Sequence, residues 1–282
     1  MRCLLAALGL IGLLSPAFAA DYELPTLRGS DMFVPAYPVY PHWDGAYVGG
    51  HVGFGNAGVD FTKSTQPMLA VSLRALTFET EFHASSVPVL GTTDTNSAGV
   101  GGFVGYNVQF DDAVVGLEFN YTHSNFNAVA TSNPIGRLTG VLSNGKVYAF
   151  SLNGSGAMRT TDIGLFQARG GYAWGHFMPY ATFGLALGRA DVSLAVSCSC
   201  RELTPNPKPP PDGFISSVDF SFSQSQANKT SYLWGLTGGV GIEWALTPNI
   251  FARADYQYVA WQQVTQISSY IQMSHVGLGV RF

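Results

Sequence analysis

Six ionisable side chains fall in segments of alternating hydropathy: Glu118, Arg169, Glu243, Arg253, Asp255 and Arg281. Each lies on the small-or-polar side of its segment, so all six are expected to point into one enclosed space. Three acids facing three bases could form a structural ion-pair plug, line a gated polar path, or supply a catalytic carboxylate or proton relay. Pairing is the favoured outcome, because an uncompensated buried charge is costly.

Other chemistry has weaker support. Gly53, Gly55 and Gly58 spell G-x-G-x-x-G, but they sit inside an alternating strand with no helix following, so the dinucleotide reading fails its context test. The chain lacks G-x-S-x-G, and His51, His123, His176 and His275 have no visible nucleophile partner. His275 falls on the polar side of its strand and is expected to be a hydrogen-bonded interior histidine. No enzyme activity, metal or cofactor is expected. Cys198 and Cys200 are one residue apart, in what reads as an exposed loop. A tight disulfide and two free thiols both remain open, and both rank above a metal site.

The elements that would hold these residues alternate with period two. At the end of the chain, Val276, Leu278, Val280 and Phe282 alternate with His275, Gly277, Gly279 and Arg281. This is a strand with one apolar and one small-or-polar face. Similar segments cover residues 43–61, 97–110, 113–126, 158–174, 177–195, 230–246 and 250–262. The connections alternate between long and tight. Residues 63–96, 127–157 and the stretch holding both cysteines and Pro207 to Pro211 are long, whereas Asp111-Asp112, Gly175-His176 and Thr247-Pro248-Asn249 are tight. Residues 263–271 form a shorter loop. Outer-membrane barrels have short periplasmic turns and long extracellular loops.

The fold class expected is therefore all-β, a transmembrane antiparallel up-and-down barrel of about eight strands. Residues 71–82 (VSLRALTFETEF) and 213–222 (GFISSVDFSF) alternate enough to extend strands above the membrane. Trp43, Trp174 and Trp244 are expected in a periplasmic aromatic girdle, with Tyr232, Trp234 and Trp261 in an outer one.

Composition agrees. Only 11% of the 282 residues are charged, against about a quarter in a soluble domain, as expected when the outer face meets lipid. The net charge of −4 gives no basic footprint for nucleic acid. Residues 1–19 read as a signal peptide: Arg2, an apolar core from Leu4 to Leu14, and a small-x-small site ending at Ala19. Residues 20–42 form a leader rich in proline and tyrosine, and residues 43–282 the barrel. The location expected is the outer membrane.

The opening Trp43-Asp44-Gly45-Ala46-Tyr47-Val48-Gly49-Gly50 and the closing Val276 to Phe282 resemble those of alphaproteobacterial porin-like outer-membrane proteins. That family comprises OmpA-like small barrels and includes surface antigens of rhizobia and brucellae. The resemblance implies an eight-stranded outer-membrane barrel without a defined activity. The expected role is structural and surface-interacting, with a charge-plugged lumen and with loops contacting envelope or host partners. The alternative is a small porin passing ions or solutes. Expected partners are outer-membrane lipid and lipopolysaccharide, the chain acting as a monomer.

Overall fold

A computed structural model describes residues 42–206 and 213–282. The signal peptide (1–19), nearly all of the leader (20–42) and the run from Pro207 to Pro211 lie outside the described residues.

The described chain forms nine strands: β1 (Gly45–Asp60), β2 (Thr92–Phe110), β3 (Ala113–Thr131), β4 (Ile135–Leu138), β5 (Val147–Tyr172), β6 (Phe177–Pro205), β7 (Phe214–Ala245), β8 (Ile250–Trp261) and β9 (Ser268–Arg281). Eight of them close a ring. The sheet runs from β3 through β2, β1, β9, β8, β7 and β6 to β5, and an antiparallel β3–β5 pairing joins its ends. The last strand pairs with the first from Tyr47↔Arg281 to Asp60↔Ser268, so no edge remains at that seam. β4 pairs only with β5 and stands outside the ring.

Alternation decides the two faces. On β7, Tyr232 is 83% exposed and Leu233 2%, so one step along the strand crosses from the outside of the barrel to its interior. Exposed Val, Leu, Phe, Tyr and Trp side chains surround the ring, as a lipid-facing wall requires.

The tight turns fall where expected. Asp111 takes a positive φ of 51° between β2 and β3, Gly175 one of 60° between β5 and β6, and Thr247 Oγ1 accepts from the Ile250 amide at 2.9 Å between β7 and β8. The β8–β9 loop is shorter than the sequence suggests. Thr265 and Gln266 both take positive φ, and Val264 bridges to Ile267, which closes a two-residue hairpin.

At the opposite end the structure departs from the sequence expectations in two ways. Residues 71–82 do not extend a strand. They fall in α1 (Gln66–Leu73) and α2 (Thr77–Phe82). Leu69 and Leu73, and Phe78 and Phe82, are four residues apart, and this spacing competes with the period-two pattern over a short apolar run. Burial of Leu69, Leu73 and Phe78 decides for the helices. The stretches expected as loops at 127–157 and around the cysteines are instead largely strand. β5, β6 and β7 run for 26, 29 and 32 residues, far beyond the roughly 9–11 a bilayer needs. They continue above the barrel as an extension, with the short β4 paired along its β5 edge. The alternation at 213–222 does extend a strand, as the start of β7.

Candidate functional site

Strand β8 gives the vertical order of the interior. Its inward residues run Phe251, Arg253, Asp255, Gln257, Val259 and Trp261, all buried. These are an aromatic floor, two charges, an amide and an apolar top, and the other strands supply matching layers.

The floor packs Phe251 with Trp43, Tyr47, Phe103, Val114, Met178, Tyr180 and Ala245. Glycine on neighbouring strands makes the room: a Cβ at Gly49 would overlap the Phe103 ring, and one at Gly279 the Phe251 ring.

Above the floor, charges of alternating sign form a continuous chain. Glu243 Oε1 accepts from Arg169 Nη2 at 2.8 Å, and Arg169 Nη1 reaches Glu118 Oε2 at 3.3 Å. Glu118 Oε2 also lies 3.1 Å from Arg253 Nη1, Arg253 Nε donates to Asp255 Oδ2 at 3.0 Å, and Asp255 Oδ1 is 2.9 Å from His275 Nδ1. Tyr47 donates its hydroxyl proton to Glu118 at 2.8 Å. The Arg169 guanidinium lies 4.2 Å from the Tyr180 ring centroid and that of Arg253 4.1 Å from Phe103. Each cation therefore meets carboxylate along its edge and an aromatic face on its plane, as desolvated guanidinium favours.

Arg281 stands apart from this chain. The register places it opposite Tyr47, at the floor and a layer below the carboxylates. Its Nη2 donates to the Pro248 carbonyl at 3.2 Å, and its guanidinium covers the Trp43 ring at 4.5 Å. It caps the turn end and has no ion pair among the described residues.

Over the charges lies a neutral layer. Gln167 Nε2 donates to Gln257 Oε1 at 2.8 Å, with Thr182 and Thr237 beside them. His51 Nε2 lies 3.0 Å from Thr122 Oγ1, and the His51 and His275 rings meet edge to face at 4.5 Å. His275 is the buried, hydrogen-bonded interior histidine that its strand position implies, whereas Gln167, Gln257, Thr182, Thr237 and Thr122 carry no signal in the sequence, because neutral side chains on a polar face leave no charge pattern. The top is apolar, built from Phe61, Leu90, Phe126, Ile163, Leu165, Leu194, Trp261 and Ile271 among others.

The aromatic expectations need correction at two positions. Trp174, Trp244, Tyr232 and Trp234 are exposed on the outer wall. Trp43 and Trp261 are buried inside. Trp43 turns inward under Arg281, and Trp261 fills the space left by Gly188, where a Cβ would come within 2.8 Å of the indole.

Cys198 and Cys200 lie in β6, not in a loop, with both side chains on its inner face and joined as a disulfide. They pack in a second apolar cluster with Tyr148, Phe150, Leu152 and Val196 from the extension and Leu69, Leu73 and Phe78 from the helices. Among the described residues, no group of three or more His, Cys, Asp or Glu is placed to hold a metal ion.

Three solved structures align over most of this chain at low identity. Ail, the attachment invasion locus protein of Yersinia pestis, matches at 13% identity and TM-score 0.33, covering 85% of this chain and 99% of its own. Neisserial surface protein A matches at 15% and 0.35, covering 84% and 97%. OprG of Pseudomonas aeruginosa matches at 9% and 0.37, covering 86% and 98%. No curated protein matches the chain. The family model for the outer membrane protein beta-barrel domain matches residues 32–282, which with the closed eight-strand ring makes this chain a member of that outer-membrane barrel family.

Proposed function

We propose that this protein is a non-conducting outer-membrane anchor whose extension above the barrel makes the functional contacts. The carrying observation is the stacking inside the ring: an aromatic floor, a chain of paired charges, a hydrogen-bonded amide layer and an apolar top. An eight-stranded ring is just wide enough for side chains to fill. A pore would need a wider ring, and β4, the one additional strand among the described residues, pairs outside it. The paired charges then act as a plug, and the carboxylates have no open space in which to meet a substrate.

The extension carries the surface role. Three long strands stand above the membrane with an apolar inner face roofed by α1 and α2, which gives a platform of paired strands and packed helices in place of irregular loops. The resemblance of Trp43 to Gly50 and Val276 to Phe282 to the ends of alphaproteobacterial porin-like outer-membrane proteins supports a partner in the envelope or on a host surface.

The test is single-channel recording of the refolded mature chain in a planar bilayer. A folded barrel, identified by its heat-dependent gel mobility, should be silent. Steady, reproducible openings would replace this reading with the small porin.

A further inference from the structure

The outer face of β6 passes through three environments in one unbroken strand. From Phe177 to Leu187 the outward side chains include Phe183, Leu185 and Leu187, each more than half exposed. Ten residues at about 3.3 Å, tilted by about 40°, rise roughly 25 Å, the height of a barrel's apolar band. The next outward residues are Arg189 and Asp191, followed by Ser193, Ala195, Ser197 and Ser199. Arg189 therefore marks the outer boundary of the hydrocarbon.

A second arginine lies beside it. Arg159 on β5 pairs across to Asp191, which makes it a diagonal neighbour of Arg189, within reach for long side chains on one face. Both arginines are exposed, and neither forms an ion pair among the described residues. The acids directly across from them, Asp191 from Arg159 and Asp162 from Arg189, accept from other groups. Asp162 is engaged by Tyr121, His123 and Thr161, and Asp191 accepts from Thr230 at 2.6 Å. Arg159 donates from Nε to Asn125 at 2.7 Å, and among the described residues its terminal nitrogens have no partner. Tyr232 sits directly across from Arg189 on β7, and Trp234 across from Leu187.

From this we propose that Arg159 and Arg189 form an outward-facing site for the phosphate of a phosphorylated glycolipid of the outer leaflet, with its saccharide seated in the trough above. The proposal rests on the membrane orientation used under Proposed function but not on the sealed interior. Guanidinium binds phosphate through paired N–H donors, and exposed aromatic rings at this depth suit the headgroup boundary. Continuity with the lipid-facing wall selects a membrane lipid as the occupant. Directly above, β5, β6 and β7 frame a trough of about 280 Å³ lined by Asn153, Ser155, Ser197, Ser223 and Ser225. These short side chains offer amide and hydroxyl groups of the kind that hydrogen-bond sugar.

The experiment uses the mature chain folded in phosphatidylcholine nanodiscs, titrated with diphosphoryl lipid A and followed by native mass spectrometry. The double variant Arg159→Gln/Arg189→Gln should bind at least tenfold more weakly, and Arg159→Lys/Arg189→Lys should recover part of the loss. Both sites face outward, so heat-dependent mobility should match the wild type. Excess inorganic phosphate should not displace the lipid, and displacement would overturn the glycolipid as occupant. Ser197→Glu, which crowds and charges the trough, should weaken binding of lipid A carrying core sugars more than lipid A alone. Equal binding by wild type and the glutamine double variant would overturn the proposal. A conducting channel that still showed the arginine-dependent binding would overturn only the sealed interior.

Discussion

The barrel and the extension above it obey the same period-two rule and fill their inner faces in opposite ways. Inside the ring the inward positions carry charge, amide and glycine as well as rings. On the extension they carry Tyr148, Phe150, Leu152, Val196 and the Cys198–Cys200 pair. Closure explains the difference. A closed ring brings strands from all sides to one axis, so Glu118 on β3 can meet Arg169 on β5 and Arg253 on β8. An open sheet has no strand facing it, so its polar groups would find no partners. It is covered instead by an apolar roof, which α1 and α2 supply. The ring sandwiches a layer of mutually satisfied charges between an apolar floor and an apolar top, whereas the extension relies on apolar burial alone.

The largest effect should come from breaking the charge chain at its centre. Glu118 is shared by both arginines, so Glu118→Ala leaves two buried guanidiniums short of a carboxylate. A loss of about 3–5 kcal/mol is expected for removing one partner of a buried pair. It should register in urea unfolding of the lipid-embedded protein as lost heat-dependent mobility. A barrel as resistant as the wild type would mean that rings and glycine packing alone hold it shut. Arg281→Ala is the internal comparison. It removes a cap over Trp43 and strands no carboxylate, so it should cost less.

A smaller and local effect is expected from the roof. Leu73→Ala removes a fully buried side chain from α1, and the low end of the Leu→Ala range, about 2 kcal/mol, applies where a short helix can settle into the gap. Limited proteolysis should cut residues 61–91 faster while the barrel keeps its mobility on gels. Loss of both together would show that ring and extension unfold as one unit.

The same contrast explains what the sequence made legible. Strands within the ring are visible because lipid on one side and a crowded interior on the other enforce alternation, as in Val276 to Phe282. Glu118, Arg169, Glu243, Arg253 and Asp255 could be grouped because a charge on the small-residue face has only one place to go. Their partner order could not be read, since it depends on the stagger between strands. That stagger puts Arg281 a layer too low to pair with an acid. The sequence does not distinguish Trp43 and Trp261 from wall residues, because an aromatic at a strand end reads the same facing in or out. The extension was hidden for a further reason. Its outer face is Ser, Ala and Asn, which resembles loop composition, and the serine-rich run around Cys198 and Cys200 becomes strand only through pairing with β5 and β7.

The smallest effect expected is at the exposed end of the extension. Arg201 on β6 faces Asp219 on β7 and donates from Nη2 to Oδ2 at 3.0 Å. This hydrogen bond, reinforced by the cation's charge, lowers the Asp219 carboxyl below its ordinary value. A carboxylate whose folded value is depressed contributes stability above its unfolded value of about 3.9, and that contribution disappears as pH falls through the folded value. Both side chains are more than half exposed, and solvent and salt screen such pairs, so the stabilisation is slight. A carbon-13 titration of the Asp219 carboxyl should therefore show a midpoint below the usual aspartate value that rises in Arg201→Gln. The protease resistance of the extension should decline slightly on acidification through that midpoint in the wild type, with that step missing from Asp219→Asn. If Arg201→Gln leaves the midpoint unmoved, the pair does not form in solution, and the extension is held at this end by backbone pairing and its apolar inner face alone.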